Sequence, residues 1–167
     1  GDFPRLWEAY LGRLEMGLKG LPMELLPGVV PLLDALTEME GAGEVALGIV
    51  TGNLARGAEL KLASAGLRAR WEVGGYGSDH EERDALPAVA LDRATTTWGR
   101  RFAGQEAVVI GDTPRDVACG RAHGLATIGV ATGPFGVDVL ARAGADRVLE
   151  DFSDTPRVLE SLLGWER

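Results

Sequence analysis

The chain has 167 residues, 46% of them apolar and 25% charged, which suits one soluble domain with a sizeable core and excludes a disordered segment. A formal charge of −8 argues against a phosphate-backbone binder, since nucleic-acid affinity rests on clustered Lys and Arg. One cysteine, Cys119, cannot form an internal disulfide, no apolar run nears the roughly 20 residues of a membrane span, and GDFPRLWE lacks the basic start and apolar core of a signal peptide. The expectation is a cytoplasmic protein with no nucleic-acid or membrane partner; nothing in the sequence fixes its oligomeric state.

In chain order, Phe3, Leu6, Trp7, Tyr10, Leu11, Leu14 and Leu18 recur at steps of three and four, the apolar stripe of a helix. Gly20 to Pro27 reads as a connection, and GVVPLLDALTEM as a second helix. From there strand-like and helical runs alternate, which predicts parallel βα units. The predicted strands are VALGIV (45–50), the WEVGGY region, AVVIG (107–111), ATIGV (126–130) and DRVLE (146–150). Helices are predicted near 54–65, 84–98, 114–123, 136–143 and 156–163. Strands this continuously apolar are expected to be buried on both faces, as helices covering a parallel sheet require.

In such sheets ligands collect at the carboxyl ends of the strands. Three strand ends carry suitable chemistry. The first is Thr51, Gly52 and Asn53, where a hydroxyl, a close-approach glycine and amides at a helix start suit a phosphate or carboxylate; alternatively Thr51 or Asn53 merely caps the helix. The second is Asp112 after AVVIG, a hard oxygen ligand suited to magnesium, with Asp116 one turn later. Asp116 has a local alternative, because Thr113, Pro114 and Asp116 match a capping box. The third is Arg83 in GSDHEERDALP (77–87), a cation able to neutralise phosphate or a carboxylate. Asp79, His80, Glu81 and Glu82 read as solvated loop charges, and His123 as a cation near a helix end. The glycines of GAGEVALG precede a strand, the wrong side for a dinucleotide fingerprint.

The order of these pieces, with GDTPRDVACGRAHG followed by ATIGVATG, resembles the haloacid dehalogenase-like (HAD-like) hydrolase superfamily from about Leu26 onward, and most closely its phosphoglycolate phosphatase-like and phosphoglucomutase-like members with a helical cap. The resemblance implies an α/β fold, a Rossmann-like doubly wound parallel sheet, with residues 1–21 the last helix of the cap and 22–167 a core lacking its first strand. It implies that Thr51 and the amides of Gly52 and Asn53 bind the transferred phosphoryl group, and that Asp112 ligates Mg2+ with support from Asp116. The third family motif supplies a lysine; the matching place holds Arg83, while Lys61 sits mid-helix, a poor position for that role.

The family also attacks phosphate with an aspartate in an early Asp-x-Asp-Gly-Thr/Ser motif that ends the central strand. That motif is not in these 167 residues, and Asp2, followed by Phe3 and Pro4, does not replace it. The expectation is therefore the C-terminal part of a longer phosphomonoester phosphatase acting on a small phosphorylated metabolite, these 167 residues alone being inactive. The substrate is read mainly by the cap. Rival readings are a non-catalytic phosphate-binding or metal-binding or regulatory domain that has lost the nucleophile, a receiver-like domain, which needs its acidic pair early in the chain, and a nucleotide-cofactor domain, for which the glycine fingerprint is missing.

Overall fold

The structure is a computed structural model that describes residues 3–67, 71–102 and 104–165. Asp2 lies outside the described residues. Among the described residues, seven α-helices and five strands follow one another as α1 (Phe3–Gly20), α2 (Val29–Gly41), β1 (Gly48–Thr51), α3 (Ala55–Ser64), β2 (Val73–Tyr76), α4 (Leu86–Trp98), β3 (Val108–Gly111), α5 (Pro114–Arg121), β4 (Ala126–Val130), α6 (Val137–Arg142), β5 (Arg147–Leu149) and α7 (Thr155–Leu163). The predicted alternation holds throughout, and all strand pairs are parallel. A 3₁₀ turn at Arg83–Ala85 leads into α4, so the helix predicted from residue 84 starts at Leu86.

The five strands form two sheets, β1–β2 and β3–β4–β5. In the first, Gly48 pairs with Val73 and Thr51 with Tyr76; in the second, Val108 pairs with Ala126 and Gly129 with Val148. Each of β1 and β3 thus has one strand neighbour among the described residues, and burial follows from this. All five residues of β4, flanked on both sides, are buried, whereas β1 and β3 are half-open and Ile110 is 39% exposed. The expectation of two-sided burial holds for β4 and fails for these two strands.

A cleft of about 860 Å³ lies along β1 and β3, lined by Val50, Val109 and Ile110 from the strands and by Leu91, Trp98 and Leu162 from helices. The main core borders it, sharing Leu36 and Leu162 with its lining: Leu32 and Leu36 of α2, Ile128, Val130 and Leu149 of the larger sheet, and Val158 and Leu162 of α7. α4 packs across β1 and β2, and α5 across β3 and β4. α1 lies on α3, with Tyr10, Leu11 and Leu14 over Gly57. The next connection is tied to the same helix, Met23 N–H donating to Ser64 Oγ at 3.3 Å.

β1 is shorter than predicted because Leu47 N–H donates to Glu40 Oε1 of α2 at 2.8 Å, engaging the backbone ahead of the strand before it reaches β2.

The placement of α5 depends on Gly120. A Cβ there would lie 2.6 Å from Thr127 Cγ2 and 3.1 Å from Val109 Cβ. Alanine gains about 0.5–1 kcal/mol of helix propensity over glycine, but overpacking a tight contact typically costs about 1–3 kcal/mol. The clash wins here, since both neighbours are β-branched and held in strands. Gly120→Ala is expected to lower the urea midpoint of unfolding; a raised midpoint would mean that α5 is free to shift.

Candidate active site

Each of the three constellations stands at the carboxyl end of its strand or in the loop that follows. Thr51 closes β1, and Gly52 and Asn53 form the turn into α3. Neither Thr51 nor Asn53 caps that helix. Its N-cap position is Leu54, without a side-chain cap, and the orphan Ala55 N–H donates instead to Ser78 Oγ at 3.2 Å. The simple capping explanation for this turn is therefore removed. Thr51 Oγ1 accepts from Asn53 Nδ2 at 2.7 Å and from Asn53 N–H at 3.2 Å. The Asn53 amide is thus aimed at the Thr51 hydroxyl rather than outward.

Asp112 follows β3, and Asp116 lies in the first turn of α5. Asp116 completes the capping box: Thr113 N–H and Oγ1–H donate to Asp116 Oδ2 at 3.1 and 2.8 Å, while Asp116 N–H donates to Thr113 Oγ1 at 3.3 Å. Its other oxygen, Oδ1, accepts from Arg83 Nη2 in an ion pair. Asp116 is 15% exposed and Arg83 39%. Both Asp116 oxygens are engaged, which suits a supporting role better than a ligand open on two sides. The Asp112 carboxylate has no hydrogen-bond or ion-pair partner among the described residues, and it rests against Gly133 in the loop after β4, where a Cβ would come within 2.3 Å of Oδ2.

Arg83 joins the constellations. Its Nη2 holds Asp116, and its Nη1 lies 3.5 Å from the position a Cβ on Gly52 would take. Its buried Nε–H has no acceptor, an uncommon state for a buried donor and one that an anionic group would relieve. The backbone around it is pinned from α5: Cys119 Sγ–H donates to the Arg83 carbonyl at 3.4 Å, and His123 Nε2 meets the Asp84 carbonyl. Burial, with Asp84 adding to it, pushes the Cys119 thiol up, which keeps it a protonated donor. His123 is therefore a contact to the Arg83 loop as well as a residue near a helix end.

Asp79 does not behave as a solvated loop charge. It accepts from Tyr76 N–H at 2.8 Å and from both Nη atoms of Arg93 at 2.7 and 2.8 Å, while Arg93 also donates to the Gly74 carbonyl at 2.6 Å. This clamp fixes the loop leaving β2, the loop that carries Arg83. The close pass of Gly77 over Gly52 is part of the same arrangement: a Cβ on Gly77 would lie 2.2 Å from the Gly52 carbonyl oxygen. Gly133 was the legible omission, since Ala131, Thr132 and Gly133 follow a strand end like the other three groups.

For a metal, the donor chemistry fits in part. Magnesium is commonly held by one or two carboxylates with substrate phosphate, and the unpaired Asp112 carboxylate meets that need. No group of three or more His, Cys, Asp or Glu side chains able to hold a metal ion occurs among the described residues.

Comparison with known proteins bears on the fold and on residues 85–155. Residues 85–155 match the sequence model of the family described as HAD-hydrolase-like. Among solved structures, the chain is similar to a protein from Thermotoga maritima assigned as a β-phosphoglucomutase, at 20% identity and a TM-score of 0.68, over 84% of this chain and 62% of that one. It is similar to a predicted phosphoglycolate phosphatase from Haemophilus somnus 129pt, at 21% identity and a TM-score of 0.64, over 81% of this chain and 57% of that one. A conserved haloacid dehalogenase-like protein of unknown function from Agrobacterium tumefaciens matches at 21% identity and a TM-score of 0.64, over 90% of this chain and 64% of that one. No curated protein matches the sequence. The fold is thus that of the HAD-like hydrolases, and residues 85–155 carry that family's sequence pattern. The chain spans about three-fifths of the length of the solved relatives named here.

The clamp yields a pH prediction. The hydrogen bonds from Arg93 hold the Asp79 carboxyl below its ordinary value of 3.8, with the Tyr76 N–H adding to the effect against partial desolvation. A lowered folded-state value stabilises above the unfolded pKa, and the gain is lost as pH falls through the folded value. Wild type should exceed Asp79→Asn in stability by a constant margin from neutral pH down to about pH 5, and the margin should shrink below the ordinary carboxylate range. Urea unfolding at several pH values checks this; a margin that does not depend on pH would contradict the clamp.

Proposed function

We propose that this chain is the phosphoryl-binding core of a Mg2+-dependent phosphomonoester phosphatase. The observation that carries the reading is the position of Arg83, whose guanidinium lies beside Gly52 on one side and holds Asp116 on the other, so that the three strand-end groups form one site. The unsatisfied Arg83 Nε–H supports an anionic ligand, and the unpaired Asp112 carboxylate supports a cation next to it. The likeness to a predicted phosphoglycolate phosphatase supports the same chemistry.

In this reading the Thr51 hydroxyl, the Gly52 amide and Arg83 bind the phosphoryl oxygens and orient the group for in-line attack. Asp116 holds Arg83 in place. Asp112 is the residue that would hold a magnesium ion, which would supply charge neutralisation at the phosphoryl group when bound. The nucleophile is an aspartate on a parallel strand seated in the cleft between β1 and β3. Its oxygen forms a bond to phosphorus as the alcohol leaves, and water then attacks the aspartyl-phosphate to release phosphate. The cleft supports this, since both bordering strands offer a backbone edge without a strand partner among the described residues. The helix α1 and the 21–28 connection are read as the return from a cap, whose closure excludes bulk water.

The test uses the form of the protein that carries the completing strand, assayed on a panel of small phosphomonoesters with and without Mg2+. Asp112→Ala is expected to reduce Mg2+-dependent turnover by at least about 100-fold, with the unfolding midpoint little changed. Thr51→Val should reduce turnover about 10-fold to 100-fold with a smaller effect on stability. Retained activity with ordinary Mg2+ dependence in Asp112→Ala would remove the metal role. Equal losses of activity and stability in Thr51→Val would reduce Thr51 to a structural residue.

A further inference from the structure

The turn after β1 contains a hydrogen-bond chain that the proposed chemistry does not use. Lys61, in the second half of α3, donates from Nζ to Asn53 Oδ1 at 2.7 Å. Asn53 Nδ2 donates in turn to Thr51 Oγ1 at 2.7 Å, and the Asn53 backbone N–H donates to the same oxygen at 3.2 Å. The direction of this chain is fixed from the lysine end. An ammonium group has donors only, so it holds the amide by its oxygen and leaves the NH2 facing Thr51; the flipped amide would set donor against donor.

The consequence falls on the Thr51 hydroxyl. A hydroxyl oxygen has two lone pairs and one proton. Both lone pairs are occupied by Asn53 donors, so the proton cannot turn back into the turn, and no described residue accepts it. The hydroxyl is left as an outward donor. We infer that Lys61 is a positioning residue that acts through Asn53 to hold Thr51 as a hydrogen-bond donor, so that this position selects an anionic oxygen and rejects a metal ion. A cation would need a lone pair of Oγ1, and both are taken. The charged donor at the start of the chain also polarises the bonds that follow, strengthening the last one. The residue judged a poor replacement for the family lysine therefore acts two residues removed from the ligand, through Asn53 and Thr51, while Arg83 stands next to it. This inference rests on the phosphoryl-binding reading above.

The test is a double-mutant cycle over Lys61→Met, Asn53→Ala and the double variant, with inorganic phosphate titrated into ¹⁵N-labelled protein and affinity read from the Gly52 amide shift. Lys61→Met is expected to weaken phosphate binding about threefold to tenfold, the effect of losing one hydrogen bond in a chain, while the thermal midpoint moves by no more than a few degrees. In the Asn53→Ala background the same substitution should have no further effect, because the path to Thr51 is already cut. An equal loss in both backgrounds would overturn the inference, as Lys61 would then act by charge at a distance. Unchanged affinity in Lys61→Met would overturn it too, leaving the phosphoryl site itself standing. Absence of any Gly52 shift in wild type would overturn both readings together. Should Lys61→Met fail to fold, Lys61→Gln, too short to reach Asn53, carries the same expectations.

Discussion

The site depends on the seam between the Arg83–Ala85 turn and α5. On one side stand β1 and β2, on the other β3, β4 and β5, and no strand pairing joins them among the described residues. The Arg83 side chain crosses to Asp116, and α5 returns two contacts to the backbone of the turn, from Cys119 to Arg83 and from His123 to Asp84. These bonds bring the Thr51 turn and the Asp112 turn to one place. A partly buried pair of this kind is weak evidence for stability, because desolvation offsets much of its attraction. Its value here is registry, since it fixes a guanidinium beside Gly52.

The two half-sheets explain why so apolar a chain leaves β1 and β3 half-open. A parallel strand inside a sheet satisfies its backbone on both sides and is covered by helices on both faces. β4 meets those conditions and is buried throughout. β1 and β3 meet them on one side only, and the apolar cleft between them is lined by Val50, Val109 and Ile110. The Trp165 indole N–H, buried without an acceptor, belongs to the same lining. Geometry and donor inventory thus coincide here: among the described residues, the half-open strand edges and the unsatisfied indole N–H border the same cleft.

What the sequence made legible was local. ATIGV was bounded correctly because an apolar, β-branched run flanked by turns has one reading when both of its faces are buried. The α5 capping box was legible because its partners lie three residues apart and cap chemistry is independent of tertiary context. Thr51, Arg83 and Asp112 stand out in the sequence because strand ends are the expected places for such groups, and each stands at a strand end or in the loop that follows one. Other features depend on how distant loops fold over one another. The Asp79–Arg93 clamp joins residues 14 apart and the His123 contact to Asp84 spans 39, with no periodicity to announce either. Lys61 was discounted for its place in a helix, yet what matters is that Asn53 folds back toward α3, a property of the turn rather than of the lysine. VALGIV was read three residues too early because Glu40, from the preceding helix, captures Leu47 N–H.

The central claim is that Thr51, Gly52, Arg83 and Asp112 form one site for an oxyanion beside a divalent cation. The most direct measurement is a crystal structure of the protein with tungstate and Mn2+, both located by anomalous scattering. The account predicts tungsten within hydrogen-bond reach of the Thr51 hydroxyl and the Arg83 guanidinium, with manganese at the Asp112 carboxylate. Tungstate bound elsewhere, with Thr51 and Arg83 free of it, would contradict the account.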